Sequence, residues 1–80
     1  MIKEFIQGIA KTHNATLTFS ISNDNFWKRQ EEIATITDFA NIYDKVNCQY
    51  DITDQLDKWG LDYKMRSGFN PDKIILEWRE

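Results

Sequence analysis

The sequence predicts a small α+β domain, a two-layer sandwich in which three or four helices pack on one face of a sheet. Apolar residues recur every three or four positions in some segments and at every second position in others, which are the spacings of helices and strands. The 80 residues are enough for one domain spanning 1–80. We expect a small, mostly antiparallel sheet of three or four strands, and the pattern leaves the strand order open.

Residues 2–13 form the clearest predicted helix, and residues 15–22 form the clearest strand. The helix has one apolar face, which consists of Ile2, Phe5, Ile6, Ile9 and Ala10. Asn14 follows it, and asparagine tolerates the left-handed conformation that ends many helices. Apolar and hydroxyl residues then alternate over 15–22, so the strand should have one buried and one polar face.

Residues 25–34 admit two interpretations. As a helix capped by Asn23 or Asp24, they gather Trp27 and Ile33 on one side, and their run of charged residues has high helix propensity. As a strand, they place charged residues on the same face as Trp27 and Ile33, which is a poor face for a core. The helix is therefore the preferred interpretation, and a hairpin with the preceding strand is the alternative.

Two further helices are predicted in the middle of the chain. The first covers 38–47, has Thr37 as its N-cap, and buries a stripe of Phe39, Ile42, Tyr43 and Val46. The second is a short helix between Asp51 and Gly60 that buries a stripe of Ile52, Leu56 and Trp59. Asp51 is its expected N-cap, and Gly60 supplies the positive φ that a helix end requires. One bent helix across both ranges is the alternative.

The last 20 residues predict a hairpin. Alternation over 61–66 and 74–79 indicates two strands, and Gly68 and Pro71 place a turn between them. From all the elements together we expect seven side chains to be mostly buried in the core: Phe5, Ile9, Phe19, Phe39, Leu56, Trp59 and Leu76.

The composition indicates an ordinary globular protein. Hydrophobic residues make up 41% of the chain and charged residues 29%, which does not favour disorder. No apolar run reaches the length of a membrane span, and the first residues do not have the pattern of a signal peptide. Cys48 is the single cysteine and has no partner for an intrachain disulfide. We therefore expect a reducing, cytoplasmic location.

The sequence contains no motif for catalysis, metal binding or a cofactor. Its one histidine and one cysteine are far apart in the chain, and no spacing suggests that they form a catalytic pair. His13 should lie in the last turn of the first helix, where the helix dipole favours an imidazolium. Cys48 should lie in a connection between helices as an unreactive thiol. We therefore expect no catalytic residue, no metal ligand and no cofactor.

The charge of the chain is concentrated in its middle. The net charge is −3, but residues 31–62 contain eight acidic residues and only two lysines. On the predicted helices three carboxylates would face away from the core and form an acidic surface for a basic partner: Asp44, Asp54 and Asp57. Three aromatic residues in or beside predicted turns are candidate anchors at an interface: Phe26, Trp27 and Phe69.

The pattern favours a non-enzymatic protein-binding module. One concrete form is an inhibitor with an anti-CRISPR-like role, encoded by a phage or mobile element, whose acidic surface blocks the basic groove of a host nucleic-acid-binding protein. A first alternative is a small nucleic-acid-binding protein that uses Lys28, Arg29, Lys64 and Arg66. A second is a small enzyme, or a subunit that completes an active site in an oligomer. The partner and the oligomeric state are not evident from the sequence.

Overall fold

A computed structural model describes residues 2–24, 29–66 and 73–79. Within these residues the chain forms two helices and four strands, in the order α1 (Ile2–Thr12), β1 (Thr16–Asp24), β2 (Arg29–Thr37), α2 (Ile42–Trp59), β3 (Tyr63–Arg66) and β4 (Lys73–Trp78). Every strand pair is antiparallel, and the spatial order is β1-β2-β4-β3. The predicted α+β class and antiparallel sheet are confirmed.

Both helices pack on one face of the sheet. The register aligns Leu17 with Ile36 and Ile36 with Ile74, so apolar side chains form rows across three strands on that face. The buried cluster joins these rows to both helices: Ile2, Ile6, Ala10, Ala34, Ile36, Cys48, Ile52, Leu56, Ile74, Leu76 and Trp78. The opposite face of the sheet carries mainly hydroxyl and charged residues, as the alternation in β1 predicts.

The predicted helix over 25–34 is wrong for the part that the structure describes. Residues 29–34 belong to β2, which pairs with β1 in an unbroken register, as in the alternative hairpin interpretation. The charged residues that favoured a helix find partners across the sheet and in α1. Glu31 pairs with Arg79 at 3.2 Å, and Glu32 pairs with Lys3 at 3.0 Å. Tertiary contacts therefore override local helix propensity here.

One continuous helix replaces the two predicted over 38–47 and between Asp51 and Gly60, so the described residues form two helices and not three or four. Thr37 ends β2, and the N-cap is Asn41, whose side-chain oxygen accepts the backbone N–H of Asp44 at 2.8 Å. The buried stripe consists of Lys45, Cys48, Ile52 and Leu56. It runs unbroken through the predicted interruption, which is why α2 continues.

The predicted C-terminal ends at Asn14 and Gly60 are confirmed. Asn14 has φ 54° and Gly60 has φ 67°, both in the left-handed region. The backbone N–H of Gly60 donates to the Asp57 carbonyl at 3.1 Å, and the N–H of Leu61 donates to the Leu56 carbonyl at 3.2 Å. These bonds satisfy carbonyls at the end of α2 and direct the chain back toward the sheet.

The seven expected core residues are buried to different degrees. Leu56 and Leu76 are fully buried, as predicted. Four are half-buried and pack against the core cluster: Phe5, Ile9, Phe19 and Phe39. Trp59 is 39% exposed, so its prediction is wrong. It occupies the last position of α2, where its ring makes a T-shaped contact with the Phe5 ring at a centroid distance of 5.3 Å.

Candidate interaction surface

Four of the six large hydrophobic side chains that are exposed in the described part of the chain belong to the first half of α2: Ile42, Tyr43, Val46 and Tyr50. Tyr43 is 78% exposed and Tyr50 is 63% exposed. Positions 43, 46 and 50 are three and four residues apart, so they lie on one side of the helix, opposite the buried stripe.

Two carboxylates continue this side of α2 toward its end. Asp54 follows Tyr50 by one helical turn, Asp57 follows Asp54, and both residues are exposed. The Tyr63 hydroxyl donates to the Asp57 carboxylate at 2.8 Å, and this hydrogen bond raises the pKa of Tyr63. We refer to Tyr43, Val46, Tyr50, Asp54 and Asp57 as the outer face of α2.

The structure separates Asp44 from the other two predicted carboxylates. Its Oδ1 lies 2.7 Å from Nδ1 of His13, and Oδ2 of Asp51 lies 3.0 Å from Nε2 of the same ring. Both ring nitrogens donate when the imidazole is protonated, and the pKa of His13 is raised, first by the bond to Asp44 and then by that to Asp51. Asp44 is therefore engaged by His13 of the same chain. It lies on a different side of α2 from Asp54 and Asp57.

This His13 bridge connects the end of α1 to α2. His13 follows α1 directly, close to its predicted place in the last turn, and its partners belong to α2. Because both ring nitrogens contact carboxylates, neither is available to take a proton from a substrate in this arrangement. The geometry is that of a His13 imidazolium held between two carboxylates. This bridge links the end of α1 to α2.

Cys48 lies in the middle of α2 and not in a connection between helices. It is fully buried, and burial raises the pKa of its thiol to about 12. The thiolate is the nucleophilic form, so this environment disfavours reaction. Within residues 2–24, 29–66 and 73–79, the histidine, cysteine and acidic side chains form no group of three or more that is suited to holding a metal ion.

A shallow cleft of about 250 Å³ lies at one end of the sheet. It is lined by Glu31, Asp62, Tyr63, Lys64, Glu77, Trp78 and Arg79. Its cations lie beside carboxylates: Arg79 contacts Glu31 at 3.2 Å, and the register places Lys64 opposite Glu77. The cleft therefore presents mixed charge, and this weakens any attraction for a phosphate backbone.

Other residues predicted to bind a partner or nucleic acid are distributed around the sheet. Arg66 is exposed in β3, where its guanidinium lies 3.9 Å from the Glu77 carboxylate. Arg29 begins β2. The remaining predicted residues lie outside the described part of the chain: Phe26, Trp27, Lys28 and Phe69.

The aromatic part of the outer face is not predicted from the sequence. The predicted buried stripe of Phe39, Ile42, Tyr43 and Val46 is wrong for its last three members, which are exposed, whereas Phe39 packs against the core. The informative signal was the spacing of Cys48, Ile52 and Leu56, which defines a buried face on the other side of a single helix. Tyr43, Val46 and Tyr50 then fall outside it.

The comparisons with protein families and with curated proteins add no assignment to this geometry. No family model matches the chain, and a search of the curated proteins found no match. Neither of the two helices in the described residues has the length and apolar character needed to cross a membrane.

Proposed function

We propose that this protein is a non-enzymatic binding module that attaches to a basic partner protein through the outer face of α2. The observation that carries the proposal is that Tyr43 and Tyr50 are exposed on the same face of α2 as Asp54 and Asp57. Monomeric proteins rarely expose contiguous large apolar side chains without a use for them. Aromatic side chains also supply much of the binding energy at protein interfaces.

The chemistry of the outer face selects a partner rich in arginine and lysine. A guanidinium or ammonium group stacks favourably on a tyrosine ring, and a neighbouring carboxylate accepts its N–H groups. Along the outer face the rings come first and the carboxylates follow, and Tyr50, Asp54 and Asp57 offer both interactions within about two helical turns. The helix rises about 27 Å over its 18 residues, so it presents an extended edge to a groove.

A groove that binds nucleic acid has this character, because it carries the cations that neutralise phosphates. The proposed role is therefore inhibition: α2 occupies the basic groove of a nucleic-acid-binding protein and excludes its normal ligand. An inhibitor from a phage or mobile element that acts against a host defence protein is the form we favour. A catalytic role receives less support, because Cys48 is buried and His13 is held by two carboxylates.

A comparison of captured proteins tests the proposal. The parent, the double variant Tyr43→Ala/Tyr50→Ala and the control Gln7→Ala/Lys11→Ala are immobilised separately and exposed to the same host lysate. The control also replaces two exposed helical residues, but on α1. We expect a basic protein that the parent and the control retain, that added DNA displaces, and that the double variant retains at least about tenfold less.

The proposal is wrong if the tyrosine variant folds normally and captures the same proteins in the same amounts as the parent. Circular dichroism establishes the fold of each variant before the comparison. If the tyrosine variant retains the basic protein and added DNA still displaces it, the protein binds to another surface.

A further inference from the structure

We propose that the outer edge of β1 pairs with β1 of a second copy of the chain, in an antiparallel arrangement that joins two sheets into one. In the part of the chain that the structure describes, β1 pairs with β2 on one side, and no strand pairs with its other side. The strand is nine residues long, from Thr16 to Asp24. Its outer edge therefore offers a row of backbone donors and acceptors to another strand.

The two edges of the sheet differ in how well they resist such pairing. The opposite edge, β3, is four residues long and carries exposed Lys64 and Arg66, and short, charged edge strands discourage association. Residues 16–22 of β1 contain no charged residue, proline or glycine. All nine positions of β1 pair with β2 in continuous register, so no bulge interrupts the strand. The β3 edge of the sheet is thus protected against pairing, and the β1 edge is suited to it.

The side chains of β1 make the strand complementary to itself. In an antiparallel pair centred on Phe19, Leu17 of one copy lies opposite Ile21 of the other, and Thr18 lies opposite Ser20. Apolar residues then meet on the helix side of the joined sheet, and hydroxyl groups meet on the other side. Ile21 is 59% exposed in the single chain, and this pairing covers it.

Electrostatics also favour a second copy of the chain over a charged peptide. The paired segments are uncharged, and the register centred on Phe19 places Asp24 opposite position 14 of the other copy, which is an asparagine. No like charges therefore meet along the pair. Lys3, whose ammonium lies 5.6 Å from the centroid of the Phe19 ring, is neutralised by Glu32 at 3.0 Å.

Sedimentation equilibrium of the untagged chain over a wide concentration range tests the inference. The parent should show a mass that approaches twice the 9.5 kDa of one chain. The variant Thr18→Lys/Ser20→Lys puts lysines opposite each other in both cross-strand pairs, and should weaken dimerisation by at least tenfold. The control Gln7→Lys/Ala40→Lys adds the same charge at exposed positions outside the sheet and should dimerise like the parent.

A second comparison separates this edge from the outer face of α2. Tyr43→Ala/Tyr50→Ala should remain dimeric, because those residues lie on α2 and not on β1. Loss of the dimer in this variant would assign self-association to the outer face and overturn the inference. So would a parent that stays monomeric at millimolar concentration, or a folded Thr18→Lys/Ser20→Lys variant that dimerises as strongly as the parent.

Discussion

Replacement of His13 by alanine should destabilise the domain by about 2 kcal/mol at pH 6. The variant loses two charge-assisted hydrogen bonds, each of which contributes about 1.5–3 kcal/mol when well shielded. The His13 side chain is only 11% exposed, and that of Asp44 is 26% exposed, so their bond should account for most of the loss. The Asp51 side chain is 52% exposed, and solvent screening reduces its contribution.

The same bridge should make stability depend on pH in a defined direction. The folded-state pKa of His13 is raised above its ordinary value near 6.5, so the bridge contributes fully below that value. Its contribution is lost as the pH rises through the folded-state pKa. The free energy of unfolding of the parent should therefore decrease between pH 6 and pH 9, and the His13→Ala variant should lack this decrease.

Urea unfolding followed by circular dichroism at several pH values measures both effects. The matched variants Asp44→Asn and Asp51→Asn separate the two bonds, and Asp44→Asn should cost more because its bond is shorter and better shielded. A His13→Ala variant within about 0.5 kcal/mol of the parent at pH 6, the scatter of ordinary surface substitutions, would show that the bridge does not stabilise the domain. So would equal pH dependence in the two proteins.

Three further predictions concern the core, the thiol and the acidic part of the outer face. Leu56→Ala should lower the free energy of unfolding by about 2–5 kcal/mol in urea titrations, and Trp59→Ala by clearly less, because Trp59 is partly exposed. Cys48 should react with a thiol reagent only as fast as the domain opens, so urea should accelerate labelling. Asp54→Lys should weaken partner binding by about 0.2–1 kcal/mol in calorimetry, most strongly at low salt.

The His13 bridge changes how the acidic surface is best tested. Reversing Asp44, Asp54 and Asp57 together does not isolate the effect of the surface charge, because Asp44 binds His13. Asp44→Lys would break the bond to His13 and put two cations together. Lost binding in that triple variant would therefore mix a surface effect with a folding effect. Asp54 is the cleaner choice, because it is exposed and lies on the outer face.

The sequence predicts a helix or strand well where the spacing of its apolar residues and the residues that typically end such an element indicate the same range. Residues 2–13 combine a single apolar face with Asn14, and the structure has a helix there that ends before a left-handed Asn14. The strand β2 was harder to predict from the sequence, because its charged side chains pair with residues that are distant in the chain. Arg79 lies 48 positions from Glu31, so local reasoning counted Glu31 only as a helix former.

The helix α2 was ambiguous because it has apolar residues on two sides. One side carries Tyr43, Val46 and Tyr50, and the other carries Cys48 and Leu56. The position of the sheet decides which side is buried, and a periodic pattern in the helix alone does not contain that information. The candidate surface was therefore predicted in its acidic part, Asp54 and Asp57, and missed in its aromatic part.

Photocrosslinking from α2 shows whether the outer face of α2 contacts the partner. A chain with p-benzoylphenylalanine in place of Tyr50 is irradiated in host lysate beside a chain with the same group in place of Lys64, which is exposed on the sheet. We expect a covalent adduct with a basic protein from position 50, which excess parent chain suppresses, and no such adduct from position 64. The same adduct from position 64, or none from position 50, would contradict the assignment of the outer face of α2 as the binding surface.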